Sequence, residues 1–289
     1  MAIPEYQPLP LSPLLYRPVV ERALEEDLGL AGDITTAATV PADLEWTARL
    51  NAREAGRLAG LPVALDVFHR LDPFLAVEIE KPEGADLEPG DTVAVLRGKA
   101  RSLLTAERTA LNVLTRLSGI ATQTRRAVRA VGENQTRIVC TRKTTPTLRA
   151  LEKYAVRVGG GINHRFGLFD GVLIKDNHIT AAGGLRAAVE SARAVLGHMT
   201  KIEVEVDNLD QLAALIDYEV DAVLLDNMKP DQLRAAVAMV RGRMLTEASG
   251  GIRIHDIPDY AGAGVDLISL GWLTHSAPGL DLGLDFDTA

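Results

Sequence analysis

Residues 201–226 read KIEVEVDNLDQLAALIDYEVDAVLLD. This stretch begins with an apolar run of strand length, continues through a segment of helical length and ends in a second apolar run. Two strands joined through a helix form a βαβ unit, in which both strands run parallel in one sheet. The pattern therefore predicts a parallel α/β architecture.

The same alternation repeats from about residue 137 to residue 271. The apolar runs are RIVCT (137–141), GVLIK (171–175), KIEVEV (201–206), AVLLD (222–226), MLTEAS (244–249) and DLISLG (266–271). Each run ends in, or leads into, polar or glycine residues. In α/β barrels the carboxyl ends of the strands form one mouth, so six such segments favour a TIM-like α/β barrel with a shared site, although six strands are fewer than the eight of a closed barrel. A doubly wound sheet, which gathers ligands near a single crevice, is the alternative.

The chain before residue 137 predicts a smaller α/β region. Short strand-like runs alternate with Gly/Pro turns over residues 46–100, and residues 102–119 have helical spacing, with Ser102 as N-cap and Gly119 as stop. Five prolines among the first 18 residues predict an extended arm, followed by a helix that ends near Gly29. The stretch EPGDTVAVLRG (88–98) resembles the hairpins of lipoyl or biotinyl carrier domains, but it lacks their lysine motif.

The composition excludes several classes of function. A formal net charge of -8 argues against general binding to nucleic acid or to membrane surfaces. No apolar run reaches the roughly 18 residues of a membrane span, and no secretory signal pattern opens the sequence, so we expect a cytoplasmic protein. One cysteine excludes intrachain disulfides and cysteine-based zinc sites.

The positive charge is concentrated in one segment. Residues 141–178 contain seven Lys/Arg and three Asp/Glu, a balance of +4, which leaves -12 for the remainder of the chain. A small, highly anionic ligand fits this asymmetry. Arg142 and Lys143 follow a strand, and His164, Arg165 and Lys175 complete the cluster.

The other cations of this segment have an alternative interpretation. Thr144 or Thr145 is the expected cap of a helix with Pro146 in its first turn. On that helix, cations recur at i, i+4 and i+8 and could form one solvated face; they are Arg149, Lys153 and Arg157.

Acidic and glycine-rich segments add two further expectations. Glu203 and Glu205 share one face of KIEVEV, and Asp226 ends AVLLD. Hard carboxylates suit Mg²⁺, which usually arrives with substrate phosphates. The loops at 249–251 and 269–271 could bind a phosphate through backbone N–H groups.

Motifs spread over nearly the whole chain resemble the quinolinate phosphoribosyltransferase family. They are EDLGLAGDITT (26–36), ERTALNVLTRLSGIATQT (107–124), TRKTTPTLRALEKYAVRVGGGINHR (141–165), LIKDNHI (173–179), IEVEV (202–206), LLDN (224–227), EASGGI (247–252) and DLISLGWLTHS (266–276). Thr147 and Val158 stand where the family pattern has Gly and Cys. Several long motifs in the same order are far more specific than any single one.

The resemblance implies two domains. By this resemblance, residues 1–117 would form an N-terminal α/β sandwich, completed by a tail at 275–289, and residues 118–274 would form an open TIM-like α/β barrel. It also implies a homodimer, or a hexamer built of dimers, with active sites shared between subunits. The implied reaction joins quinolinate to 5-phosphoribosyl-1-pyrophosphate (PRPP), giving nicotinate mononucleotide, pyrophosphate and carbon dioxide in NAD biosynthesis. The alternative is a related protein of molybdate uptake systems that acts on another substrate.

The resemblance also implies roles for individual residues. Arg142, His164, Arg165 and Lys175 would hold the quinolinate carboxylates, with Arg108 from the neighbouring subunit. Lys143, Glu205 and Asp226 are the expected catalytic residues and would serve PRPP, the two acids also serving its Mg²⁺. The remaining expected substrate contacts are Thr141, Ser249, Gly250, Gly251, Ser269, Leu270 and Gly271.

Overall fold

The structure is a computed structural model that describes residues 9–287. The first half of the chain contains α1 (Pro13–Leu28), α2 (Ile34–Thr39), β1 (Glu45–Ala52), β2 (Gly56–Arg57), α3 (Leu61–Leu71), β3 (Ala76–Ile79), β4 (Asp86–Leu87), β5 (Thr92–Lys99) and α4 (Ala100–Ala130). The second half contains β6 (Arg137–Val139), α5 (Arg149–Val158), β7 (Val172–Ile174), α6 (Asp176–Ala182), α7 (Leu185–Val195), β8 (Ile202–Val206), α8 (Leu209–Leu215), β9 (Ala222–Asp226), α9 (Pro230–Val240), β10 (Leu245–Ser249), α10 (Ile257–Ala261), β11 (Leu267–Ser269), α11 (Trp272–His275) and β12 (Leu282–Phe286). None of the described helices is long and apolar enough to span a membrane.

The chain forms two compact units. The first comprises the residues up to 125, residues 144–160 and the residues from 273 onward; the second comprises 126–143 and 161–272. The first unit is built on an antiparallel sheet of order β12-β1-β5-β3, with a small β2-β4 ladder. Strand β5 contains most of the stretch that resembles the hairpins of lipoyl or biotinyl carrier domains. It is buried along Val93–Leu96 and lies between β1 and β3 in the sheet, so it does not form an exposed hairpin of the carrier type.

The sequence-based boundaries of the two domains stay a prediction. The compact units differ from them mainly because the first unit extends to residue 125 and also includes residues 144–160. This segment packs within the first unit through Glu152, whose side chain is fully buried. Arg116 donates to Glu152 from Nη2 (2.7 Å), and Thr145 donates from both its backbone N–H (3.0 Å) and its hydroxyl (2.8 Å). A buried carboxylate needs such partners, so this network fixes where the segment packs.

Residues 144–160 also correct two local predictions. The helix begins at Arg149 rather than after Thr144 or Thr145, because Thr147 has a φ of 68° and interrupts the helical path. Lys153 is 1% exposed, so the expectation that Arg149, Lys153 and Arg157 form one solvated face is wrong.

Two predictions about helices α1 and α4 are also wrong. Pro13 begins α1 and Pro18 lies inside it, so the described part of the proline-rich stretch is helical from residue 13, while residues 1–8 lie outside the described residues. Helix α4 continues past Gly119 to Ala130. A Cβ at Gly119 would lie 2.0 Å from the carbonyl oxygen of Pro278, so this glycine permits close backbone packing and does not stop the helix. The expected helix end at Gly29 is confirmed.

The second unit contains the predicted parallel sheet. Its six strands have the order β6-β11-β10-β9-β8-β7, and every neighbouring pair is parallel. Among residues 9–287 no ladder closes this sheet by joining β7 to β6, in keeping with an open α/β barrel. The carboxyl ends of its strands therefore lie along one edge.

Candidate active site

The carboxyl ends of the parallel strands surround a cavity of about 430 Å³ in the second unit. Residues that follow β6 and β7, and residues on β8 to β11, converge there because parallel strands all end at the same edge of the sheet. Its lining residues are Thr141, Arg142, Lys143, His164, Arg165, Leu173, Lys175, Glu205, Leu224, Asp226, Glu247, Ser249 and Ser269. The cavity is large enough for a small organic ligand.

Four cations from three separate segments face this cavity: Arg142, Lys143, Arg165 and Lys175. Partial burial, followed by the charge of Arg142, lowers the pKa of Arg165. Arg165 is held in place through Nη1, which donates to the carbonyl oxygen of Gly171 (3.1 Å). Two guanidinium groups placed close enough to oppose each other's charge favour an anionic ligand between them.

Three carboxylates line the same cavity, and two of them, Glu205 and Asp226, are the predicted magnesium ligands. Glu205 accepts a hydrogen bond from Lys175 Nζ, and Asp226 accepts one from Asn227 Nδ2 (2.6 Å). Hard oxygen donors of this kind fit Mg²⁺, but two carboxylates are fewer than a complete protein cage requires. The donor set therefore fits a magnesium ion that is held jointly with the phosphates of a ligand.

A third group of polar side chains joins two lining residues of the cavity, His164 and Glu247, to the neighbouring Glu203. His164 Nε2 lies 2.8 Å from Glu203 Oε2 and 4.0 Å from Glu247 Oε1. Both carboxylates are buried, with exposures of 8% for Glu203 and 2% for Glu247. Burial, followed by the charge of Glu203, raises the pKa of Glu247 to about 7.

The structure places five of the predicted site residues outside the lining of this cavity. Arg108 lies on α4 in the first unit. Gly250 and Gly251 follow β10 with φ values of 100° and 59°, and a Cβ at Gly250 would lie 2.3 Å from Asn227 Oδ1. Leu270 is buried, and its backbone N–H donates to Val139 O (2.9 Å). Gly271 comes directly after Leu270.

Four residues in or beside the cavity were not among the predicted site residues. Leu173, Leu224 and Glu247 line the cavity, and Glu203 contacts His164. An acid inside an otherwise apolar strand was the available signal, as in IEVEV and LTEAS. That signal does not identify which residue the acid contacts.

A parallel α/β unit with cations and carboxylates at the mouth formed by its strand ends defines an open-barrel enzyme that acts on an anionic substrate. The family models narrow this class. The quinolinate phosphoribosyl transferase N-terminal domain matches residues 33–118, and the C-terminal domain of the same family matches residues 120–285. The chain belongs to the quinolinate phosphoribosyltransferase family.

Individual relatives agree with this assignment. The chain is 45% identical over 260 residues to a probable nicotinate-nucleotide pyrophosphorylase [carboxylating] of Bacillus subtilis, covering 90% of this chain and 89% of the relative. It is 46% identical over 277 residues to the nicotinate-nucleotide pyrophosphorylase [carboxylating] of Mycobacterium leprae, covering 93% and 96%. Among solved structures it resembles NadC from Streptococcus pyogenes, with a TM-score of 0.92, 41% identity and coverage of 97% and 100%.

Proposed function

We propose that this protein transfers the phosphoribosyl group of PRPP to quinolinate, with loss of carbon dioxide, to give nicotinate mononucleotide and pyrophosphate in NAD biosynthesis. One observation carries the proposal: four cations and three carboxylates line one cavity at the carboxyl ends of the parallel strands. Quinolinate is a dianion and PRPP carries several negative charges, so both require charge-assisted contacts. Family membership supports the same substrates.

The cations divide between the two substrates. Arg142, Arg165 and Lys175 would hold the carboxylates of quinolinate, and His164 lies beside them in the lining. Lys143 would contact the pyrophosphate of PRPP. The loops at 249–251 and 269–271, together with Thr141, would hold the 5-phosphate and ribose. Leu270 already donates its N–H to Val139, and the Ser269 hydroxyl donates to Ala248 O (3.5 Å), so the Ser249 hydroxyl and the amides of Gly250 and Gly251 are the donors that we assign to the 5-phosphate.

The first chemical step is displacement of pyrophosphate at the anomeric carbon by the pyridine nitrogen. Positive charge develops on the ribose ring, as in other glycosyl transfers. The carboxylates of Glu205 and Asp226 would stabilise that charge, and Lys143 would stabilise the charge on the departing pyrophosphate. Glu205 and Asp226 would also hold Mg²⁺, which supplies further stabilisation of phosphate charge when it is bound with PRPP.

The second step needs no protein nucleophile. Ribosylation leaves the ring nitrogen cationic, so the ring accepts the electron pair of the breaking carbon–carbon bond when the 2-carboxylate leaves as carbon dioxide. A proton then replaces it at the ring carbon. The chain's own contribution is to hold both carboxylates, so that the ring stays aligned with the ribose.

We propose further that the protein works in the cytoplasm as a homodimer or as a hexamer of dimers. Arg108 would reach the cavity of the neighbouring subunit. Two-fold symmetry would then give two equivalent mixed sites in each dimer.

Purified protein supplied with quinolinate, PRPP and Mg²⁺ should form nicotinate mononucleotide and release one carbon dioxide for each molecule of nucleotide that it forms. Chromatography of the nucleotide and trapping of label from the 2-carboxylate measure the two products. Nicotinate, which lacks the 2-carboxylate, serves as the matched substrate control and should react poorly. Absence of product from quinolinate would instead favour the related proteins of molybdate uptake systems.

A further inference from the structure

His164 lies on two buried carboxylates that the reaction above does not use. Glu203 is on β8 and Glu247 is on β10, and each pairs with a different residue of β9, the strand between them. The parallel sheet therefore brings together two carboxylates that are distant in sequence, and the loop that contains His164 adds the third side chain. Glu203 Oε1 and Glu247 Oε1 have no hydrogen-bond partner among the residues that the structure describes.

The hydrogen bonds of His164 define its tautomer. The backbone N–H of Arg165 donates to Nδ1 of His164 (2.8 Å), so Nδ1 is an acceptor and carries no proton. The proton of the neutral ring is then on Nε2, which faces Glu203 Oε2 at 2.8 Å. Both ring nitrogens are thus engaged with the protein, and His164 lines the cavity.

The neighbouring acids are consistent with this tautomer. Burial, followed by the charge of Glu203, raises the pKa of Glu247 to about 7, so the second carboxyl group retains a proton more readily than an exposed one. Glu203 is then the acceptor for Nε2–H. A divalent cation bound among the three groups is the alternative, since their ligand atoms lie within 4.8 Å of one another. That site would require an Nε2 without a proton, which the hydrogen bond from Arg165 to Nδ1 opposes.

We propose that Glu203 is a positioning residue that fixes His164 as the neutral Nε2–H tautomer. This inference rests on the proposed function and changes the role of His164 within it. The charge that holds the quinolinate carboxylates then comes from Arg142, Arg165 and Lys175. His164 contributes an uncharged ring at a fixed place beside the pyridine.

The tautomer is measured directly, without substrate, by nitrogen-15 NMR of protein labelled at histidine. His164→Asn assigns the signals among the six histidines of the chain. Wild type should show a protonated Nε2 and an unprotonated Nδ1, and Glu203→Gln should keep that pattern because its amide oxygen can still accept. A protonated Nδ1 in the wild type, either as the other tautomer or as an imidazolium, would overturn the proposal.

Kinetics give a second readout. Glu203→Leu removes the hydrogen bond that holds the His164 ring beside quinolinate. The KM for quinolinate should therefore rise about 10-fold, the scale of one hydrogen bond to a charged group, and the KM for PRPP should change little. Glu203→Gln should restore most of the loss, and Glu190→Gln, an exposed acid on α7, is the matched control. Equal losses toward both substrates, or no rescue by Gln, would indicate a purely structural role and refute the proposal.

A zinc titration tests the metal alternative. Thermal stabilisation of wild type by Zn²⁺ alone, lost in Glu247→Gln and accompanied by loss of the Nε2 proton signal, would overturn the proposal.

If Glu203→Leu does not fold, the nitrogen-15 spectra of wild type and Glu203→Gln still show which nitrogen of His164 carries the proton. A wild type with the expected tautomer but without activity on quinolinate would refute the proposed function and leave the tautomer assignment standing.

Discussion

Replacement of Arg165 with Ala is the most direct test of how the cavity binds its substrate. In the free protein the guanidinium is held by Gly171 O and opposed by the charge of Arg142. Its removal relieves that repulsion, so the fold should survive the change. What the variant loses is a planar pair of donors for a carboxylate.

The magnitude follows from the type of contact. A hydrogen bond to a charged group contributes about 1.5–3 kcal/mol, and its loss corresponds to a decrease of about 10- to 150-fold in kcat/KM for quinolinate. Arg165→Lys keeps the charge but loses the fork, so its defect should be intermediate. The KM for PRPP should change little in both variants.

The assay follows initial rates of nicotinate mononucleotide formation with quinolinate varied at saturating PRPP. Circular dichroism and thermal melting establish that the variants are folded. Arg186→Ala, at an exposed position on α7 outside the cavity, is the matched control for loss of an arginine. Wild-type kinetics for quinolinate in folded Arg165→Ala would refute the assignment of Arg165 to the carboxylate site.

Four further predictions concern stability, metal binding and assembly. Because the pKa of Glu247 is raised in the folded state from 4.5 to about 7, its contribution to stability is present below that interval and is lost as the pH rises through it. The melting temperature of Glu247→Gln relative to wild type should therefore rise between those pH values, and a constant difference would contradict the buried cluster. Thr147→Gly should stabilise the protein by about 1 kcal/mol, because a β-branched residue is strained at a positive φ; an unchanged or lower melting temperature would count against that strain. Calorimetry should show weak Mg²⁺ binding to the free protein and stronger binding with PRPP, whereas tight binding without PRPP would indicate a complete cage. Mixing inactive Arg108→Ala with inactive Lys143→Ala under subunit exchange should restore about a quarter of wild-type activity, since half of the dimers are mixed and half of their sites are intact. No recovery, despite exchange confirmed by native mass spectrometry, would mean that the site is not shared.

Much of the second unit could be predicted from the sequence. The alternation of apolar strand-length runs with helical segments predicts a parallel sheet, and such a sheet collects the residues at its strand ends along one edge. The sequence therefore predicts Arg142, Lys175 and Asp226 at one site, and all three line the cavity. Local patterning suffices here because strand direction and side-chain alternation are set by neighbouring residues.

The first unit shows where local patterning fails. Gly119 has the features of a helix stop, but it lies within α4, where the absence of a side chain lets the backbone of Pro278 approach closely. Thr145 has the chemistry of an N-cap, but it donates to the buried Glu152 instead. In both cases the deciding partner is elsewhere in the folded unit, so the local preference is overridden by packing.

The sequence by itself determined the parallel α/β architecture, the family and the cations and acids of the strand ends. Only the tertiary structure decided which of these groups meet. His164, Glu203 and Glu247 come from a loop and two strands, and their separation in sequence gives no sign of the contact. Their pairing follows from burial, because a polar group removed from water must find a partner wherever the fold places one.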